Sequence, residues 1–190
     1  MDFYFGGKYI GDADPAELVS YHQKKGRRVV EASGSFNPPH LGHLEFLNRV
    51  NNLADITMIN LNNDEWLKRR KKKDRVLYTL EETAKFISWQ VMVDYVFVHP
   101  GYEIPPAISL ALHSRPDIMV LRADAEPELL ERAKELLNSI PGYSPNIRLV
   151  PRSDVEMSSS EIMERVEGKK HKLSYRDLLE VFIPFKSDKD

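Results

Sequence analysis

The chain has no cysteine among its 190 residues. A disulfide framework and a thiolate metal site are therefore both excluded. No apolar run approaches the ~20 residues that a membrane-spanning helix requires. The first residues, Met1-Asp2-Phe3-Tyr4-Phe5-Gly6-Gly7-Lys8, lack the basic start and apolar core of a signal peptide. Neither sign of charge dominates: 27 Lys and Arg face 29 Asp and Glu, for a net charge of -2. Such a balance is unlike that of a protein whose main work is coating nucleic acid. The G-x-S-x-G elbow of serine hydrolases and the G-x-x-x-x-G-K-[ST] phosphate loop are also missing. These absences lead us to expect a cytoplasmic chain with no membrane partner and no nucleic-acid partner. The length suits one domain with a proper core. We expect a single domain over 1–190: a helical leader in 1–26, a core in 27–167, and a C-terminal helix and tail in 168–190.

What is present centres on Gly34-Ser35-Phe36-Asn37-Pro38-Pro39-His40-Leu41-Gly42-His43. A β-branched run, Arg28-Val29-Val30, precedes it, and Leu44, Phe46, Leu47 and Val50 follow at helical spacing. That order reads as strand, turn, helix. A helix start offers unpaired N–H groups and partial positive charge, so it favours anions. Two imidazoles three residues apart add donors there, and Gly42 between them allows close approach. The combination suits the phosphates of a nucleotide.

Further along, Asp14, Pro15 and Gly26 bracket a predicted helix over 15–25. Strands are predicted over 28–32, 55–61, 93–99, 117–121 and 146–150. Helices are predicted from Thr79, over 104–113 and 126–139, and as closing elements over 158–166 and 174–182. Strands alternating with helices imply right-handed crossovers. The expected fold is α/β, a Rossmann-like doubly wound sheet of about five parallel strands with helices on both faces. In such sheets ligands bind beyond the carboxyl ends of the strands, which is where the Gly34–His43 segment falls.

His40-Leu-Gly-His43 after Gly-Ser-Phe-Asn resembles the HxGH signature of the nucleotidyltransferase superfamily. That cytidylyltransferase-like group includes cytidylyltransferases, nicotinate-mononucleotide and pantetheine-phosphate adenylyltransferases, and the nucleotidyltransferase domain of ADP-heptose synthase. The middle of the chain runs from Asn62-Asn63-Asp64 through Lys71 and Arg75 to Leu80-Glu81-Glu82 and Val93-Asp94-Tyr95-Val96. It is similar to the ADP-heptose synthase and glycerol-3-phosphate cytidylyltransferase families. Met157-Ser158-Ser159-Ser160-Glu161-Ile162-Met163 is similar to the I-S-S-T-x-I-R element of adenylyltransferases. Arg115-Pro116-Asp117 through Asp124 resembles an R-P-D-x-x-V-K-G-x-D segment whose end lies near base and ribose. The start motif and the C-terminal serines lean towards nicotinate-mononucleotide adenylyltransferases, the middle towards the sugar-phosphate branch. The chain departs from the family patterns at Asn37 (commonly Asp), at Thr83 (commonly Arg) and at Leu121-Arg122-Ala123 (for K-G-G).

The resemblance implies transfer of AMP or CMP from ATP or CTP to a phosphorylated sugar or alcohol, with pyrophosphate released. Nicotinate mononucleotide is the alternative acceptor. His40, His43 and Lys71 would be catalytic. Gly34, Ser35, Phe36, Asn37, Gly42, Asp124, Ser158, Ser159 and Ser160 would bind the nucleotide. Lys71, Arg75, Asn62 and Asp64 would bind the acceptor or its phosphate. No protein metal site is implied, because Mg²⁺ would arrive held by phosphate oxygens and water. A homodimer is a further expectation of the resemblance. The plain readings of the same residues are a loop histidine pair, a serine N-cap, and, for the six cations Lys68–Lys73, a solvated face or nucleic-acid patch. A class I aminoacyl-tRNA synthetase fragment shares H-L-G-H, but no K-M-S-K-S-like element follows it here.

Overall fold

The computed structural model describes residues 3–5, 8–10, 13–63, 66, 77–98, 105–151 and 161–162. Seven strands form one sheet: β1 (Phe3–Phe5), β2 (Lys8–Ile10), β3 (Val29–Gly34), β4 (Ile56–Leu61), β5 (Tyr95–Val98), β6 (Ile118–Arg122) and β7 (Asn146–Val150). The helices are α1 (Pro15–Lys24), α2 (Leu41–Asn51), α3 (Leu80–Ser88), α4 (Pro106–Ser114) and α5 (Pro127–Asn138). Spatial order is β1-β2-β5-β4-β3-β6-β7. β3 to β7 pair in parallel throughout. They are the five strands predicted from the sequence, within a few residues at each end.

The two remaining strands depart from the expected leader. β1 and β2 form an antiparallel hairpin, and β2 pairs in parallel with β5 through Ile10 and Val96. Only α1 of the leader is helical. The signal was two aromatic-bearing triplets, Phe3-Tyr4-Phe5 and Lys8-Tyr9-Ile10, around a Gly-Gly pair, which is a hairpin pattern. Of the predicted closing helices, only Glu161 and Ile162 are described, and both are helical. The remainder of 158–166 and all of 174–182 lie outside the described residues.

Strand periodicity sorts the core into two layers. On one face Val30, Ala32, Ile59, Leu61, Val96, Ile118 and Val120 pack against Phe46, Leu47 and Val50 of α2 and Ala84 and Ile87 of α3. On the other face Val29, Ile56, Met58 and Phe97 meet Val19 of α1 and Leu110 of α4. Met119 and Leu121 there meet Ala107, Ile108 and Ala111 of α4 and Ala133 and Leu137 of α5. The chain thus winds β3-α2-β4-α3-β5 over one face and β5-α4-β6-α5-β7 over the other. The winding reverses between β3 and β6, where an open α/β sheet leaves a crevice.

Helix boundaries follow their local chemistry. Asp14 caps α1 by accepting from Ala16 N at 2.9 Å, with Pro15 as first helical residue. Thr79 and Glu82 form a reciprocal capping box on α3, and the N–H of Thr79 holds the Glu82 carboxyl below its ordinary range. Thr83, where the family commonly has arginine, is buried and donates its hydroxyl to Thr79 O at 3.0 Å. It faces the core, so this position supplies no phosphate contact.

At the amino ends of the strands three aspartates cross to the backbone at the start of a neighbouring strand. Asp55 accepts from Arg28 N, Asp117 from Val29 N and Asp94 from Thr57 N, each at 2.8 Å. Each stands just before a strand and satisfies an N–H that the ladder leaves over. Their positions fix the relative stagger of β3, β4, β5 and β6. Asp117 and Asp94, which belong to segments quoted above for family resemblance, therefore do structural work at the end remote from Gly34.

Glu31 is the one carboxylate in the described core, 1% exposed at the middle of β3. Its Oε2 lies 2.8 Å from Ser114 Oγ, which also bonds Leu110 O at 2.9 Å. A hydroxyl has one proton to give, so both contacts are satisfied when Glu31 carries a proton of its own. Burial pushes this carboxyl from its ordinary 4.5 up to about 8. Between those values the folded chain holds a proton that the unfolded chain releases, so stability falls as pH rises through the window. Glu31→Gln should flatten that dependence, which amounts to at most about 5 kcal/mol. Urea midpoints of parent and variant should converge near pH 5 and separate in favour of the variant above pH 8. Parallel curves would exclude a protonated Glu31.

Candidate active site

β3 ends at the crevice, and its exit is sterically determined. Phe36 adopts a left-handed backbone (φ 43) and is 1% exposed. Its ring folds back over Gly34: a Cβ placed on Gly34 would lie 2.8 Å from Phe36 Cε2, closer than a carbon contact allows. Glycine is therefore demanded at 34 by packing rather than by its own backbone angle. The cost of the unusual Phe36 conformation, of order 1–3 kcal/mol, is offset by burying a whole aromatic side chain.

The turned ring also orients the histidines. Phe36 meets His43 edge-on at 5.0 Å between centroids. His40 and His43 stack at 3.7 Å with 28° between their planes. His40 is the N-cap of α2, with an extended backbone (φ -153, ψ 171) and no side-chain capping bond. Its carbonyl accepts from His43 N at 2.9 Å, closing the first turn. No acidic residue stands in that turn, so the positive end of the helix dipole is not offset locally. Both rings are half-buried. Two imidazoles stacked at a positive helix end are an arrangement suited to negative charge.

The Asn37 side chain, expected from the resemblance to contact the nucleotide, engages the protein's own backbone. It is 2% exposed and grips the backbone before α3. Oδ1 accepts from Leu77 N at 3.0 Å and Tyr78 N at 3.1 Å, and Nδ2 donates to Tyr78 O at 2.6 Å. Asn62 is brought to the same edge by its N–H, which donates to Gly34 O at 3.0 Å. Its Oδ1 is buried without a hydrogen-bond partner among the described residues. Asn63 Oδ1 caps the next turn by accepting from Trp66 N at 2.9 Å.

Across the winding reversal, Asp124 follows β6 and pairs with Arg122 Nε at 3.2 Å, both side chains about half exposed. Ala123, standing where the resembled families have glycine, donates its N–H to Val150 O at 2.8 Å. The turn at this position therefore closes onto β7 without glycine. The structure thus brings Gly34, Ser35, Phe36, Asn37, His40, Gly42, His43 and Asn62 into one locality, with Asp124 at the same end of the sheet. Asp64, Lys71, Arg75, Ser158, Ser159 and Ser160 lie outside the described residues, as do Arg152 and the cations of 68–73.

Comparison with known proteins extends this local geometry to most of the chain. A family model described as cytidylyltransferase-like matches residues 32–165. The chain belongs to the cytidylyltransferase-like family. Among curated relatives of this family member, bifunctional protein HldE of Syntrophotalea carbinolica is 29% identical over 150 residues, 79% of this chain. HldE of Helicobacter hepaticus is 33% identical over 138 residues, 69% of this chain. The chain spans only 29% and 28% of those two proteins. In fold it matches the lipopolysaccharide core biosynthesis protein from Thermoplasma volcanium, with a TM-score of 0.56 and 24% identity over 67% of this chain and 98% of that one. It also matches pantoate-beta-alanine ligase from Francisella tularensis, with a TM-score of 0.55 and 13% identity over 81% and 72% of the two chains. Both likenesses establish the Rossmann-like α/β fold.

The Gly34–Phe36 contact generates a specific expectation for this family member. Gly34→Ala forces the Phe36 ring away and costs about 1–3 kcal/mol, the usual range for overpacking. Because the same ring touches His43, ligand binding at the histidines should suffer beyond the loss of stability. Thermal unfolding and nucleotide titration of the folded variant read the two effects separately. A variant with parent-like stability would show that the turn is not held this way.

Proposed function

We propose that this chain transfers a nucleoside monophosphate from ATP or CTP to a phosphorylated sugar or alcohol, with release of pyrophosphate. The observation that carries the reading is the stacked His40–His43 pair at the uncapped start of α2, set at the winding reversal of the sheet. Membership of the cytidylyltransferase-like family supports the reaction class. The HldE relatives support a sugar-phosphate acceptor over nicotinate mononucleotide.

The chemistry asked of these residues is electrostatic. The acceptor's phosphate oxygen attacks the α-phosphorus of the nucleotide in line, and pyrophosphate departs from the opposite side. A phosphate monoester is already anionic near neutral pH, so the nucleophile needs no strong base. The protein must align two anions that repel one another and meet the charge that develops on the α-phosphoryl group. His40, His43 and the backbone N–H groups of Leu41 and Gly42 would be donors fixed in advance for that charge. Lys71 and Arg75 would hold the acceptor phosphate or the leaving group, as a compact ammonium and a planar guanidinium. Ser158, Ser159 and Ser160 would hold the distal phosphates. Mg²⁺ prefers oxygen ligands and keeps several waters. The histidine turn offers it only nitrogen, so the ion belongs to the triphosphate rather than to the turn.

Pyrophosphate release, measured for ATP and CTP against phosphorylated sugars, phosphorylated alcohols and nicotinate mononucleotide, tests the reading. Turnover with a sugar or alcohol phosphate is expected. Turnover confined to nicotinate mononucleotide with ATP would replace the proposed acceptor. In the productive pair, His43→Ala should lower kcat about a hundredfold, the usual cost of one preorganised donor, while circular dichroism stays unchanged. Undiminished turnover in the folded variant would remove His43 from the mechanism.

A further inference from the structure

We propose that Asn37 is a positioning residue that locks the acceptor side of the site to the histidine turn, and that it does not bind the nucleotide. Its carboxamide engages one stretch of backbone from both sides, accepting from Leu77 N and Tyr78 N and donating to Tyr78 O. Those three bonds span 40 and 41 residues of sequence. They join the residue after Phe36 to the chain just beyond the basic segment, for Leu77 stands two residues past Arg75 and six past Lys71. A side chain 2% exposed, with both ends of its amide committed, is oriented towards that backbone rather than towards the crevice. Rotation of the amide would set like poles together at all three contacts, so the hydrogen bonds fix its orientation.

The pattern also discriminates between Asn and the isosteric Asp common in the cytidylyl signature. A carboxylate accepts only, and it would face the carbonyl oxygen of Tyr78 where Nδ2 now stands at 2.6 Å. Burial removes the water that would relieve this opposition. Replacement by Asp therefore keeps volume and the two accepted bonds but turns the third contact repulsive. The chain's departure from Asp at this position is accounted for by the carbonyl that Asn37 must satisfy. The consequence for catalysis rests on the reading that Lys71 and Arg75 serve the acceptor phosphate: freeing the backbone at 77–78 loosens the chain two residues beyond Arg75, and the loss should fall on acceptor binding.

The test uses Asn37→Ala and Asn37→Asp in the full chain, read by amide hydrogen exchange and by steady-state kinetics with the productive substrate pair. In both variants the amides within β3 and β4 should keep their protection, which establishes that the fold persists. In Asn37→Ala the amides of Leu77 and Tyr78 should exchange at least tenfold faster. In both variants KM for the acceptor should rise tenfold or more, while KM for the nucleoside triphosphate stays within twofold. An equal or larger rise in the nucleotide KM would make Asn37 a nucleotide ligand and overturn the proposal. Unchanged exchange at Leu77 and Tyr78 in Asn37→Ala would overturn it as well. A parent protein silent with every substrate pair would defeat the functional reading instead, and exchange at those two amides would then decide the clamp alone.

Discussion

The ring of Phe36 lying over Gly34 is the contact on which the geometry of this site depends. It ends β3 with a left-handed residue, and that reversal sends Asn37 inward and His40 to the head of α2. The edge of the same ring meets His43, so the inner histidine rests on a buried aromatic surface rather than in solvent. Strain at one residue is thereby converted into fixed positions for three others. Hydrophobic burial supplies the energy, and polar groups receive the orientation.

The sheet divides its labour between its two ends. At the amino end, Asp55, Asp94 and Asp117 each reach a neighbouring strand's N–H and hold four parallel strands in stagger. At the carboxyl end stand His40, His43 and the first N–H groups of α2, with Asn62 beside them, its own N–H given to Gly34 O. Parallel pairing alone leaves slack at strand starts, and charged acceptors there remove it without touching the crevice. The register is thereby kept at the end opposite the candidate site.

Much of this was legible in the chain. Strand and helix order followed from the alternation of apolar patterns with Pro, Gly and capping residues, and Asp14 and Thr79 marked their helices by chemistry alone. The histidine turn was legible as strand, turn and helix from its residue types and its place after a β-branched run. Other features depended on long-range contacts that no local pattern reports. Asn37 reads as part of a nucleotide motif until the backbone of Leu77 and Tyr78 is seen against it. Val93-Asp94-Tyr95-Val96 and Arg115-Pro116-Asp117 resemble segments of substrate-binding families, yet their aspartates serve strand starts at the far end of the sheet. The N-terminal hairpin escaped because its signal lies in the Gly-Gly pair between two short triplets and not in a period, which three-residue strands cannot display. Glu31 gave no sign of its burial, since one acid in an apolar strand reads as a surface residue until Ser114 is found beneath it.

Thr83 carries a consequence for what this position can hold. The position commonly held by arginine points, in this chain, between α3 and the sheet, and its hydroxyl closes a bond within its own helix. An arginine here would drive a guanidinium into a packed layer, where an unpaired charge is among the costliest of substitutions. To hold that cation α3 would have to shift away from the sheet, and the shift would disturb both the capping box and the backbone that Asn37 holds.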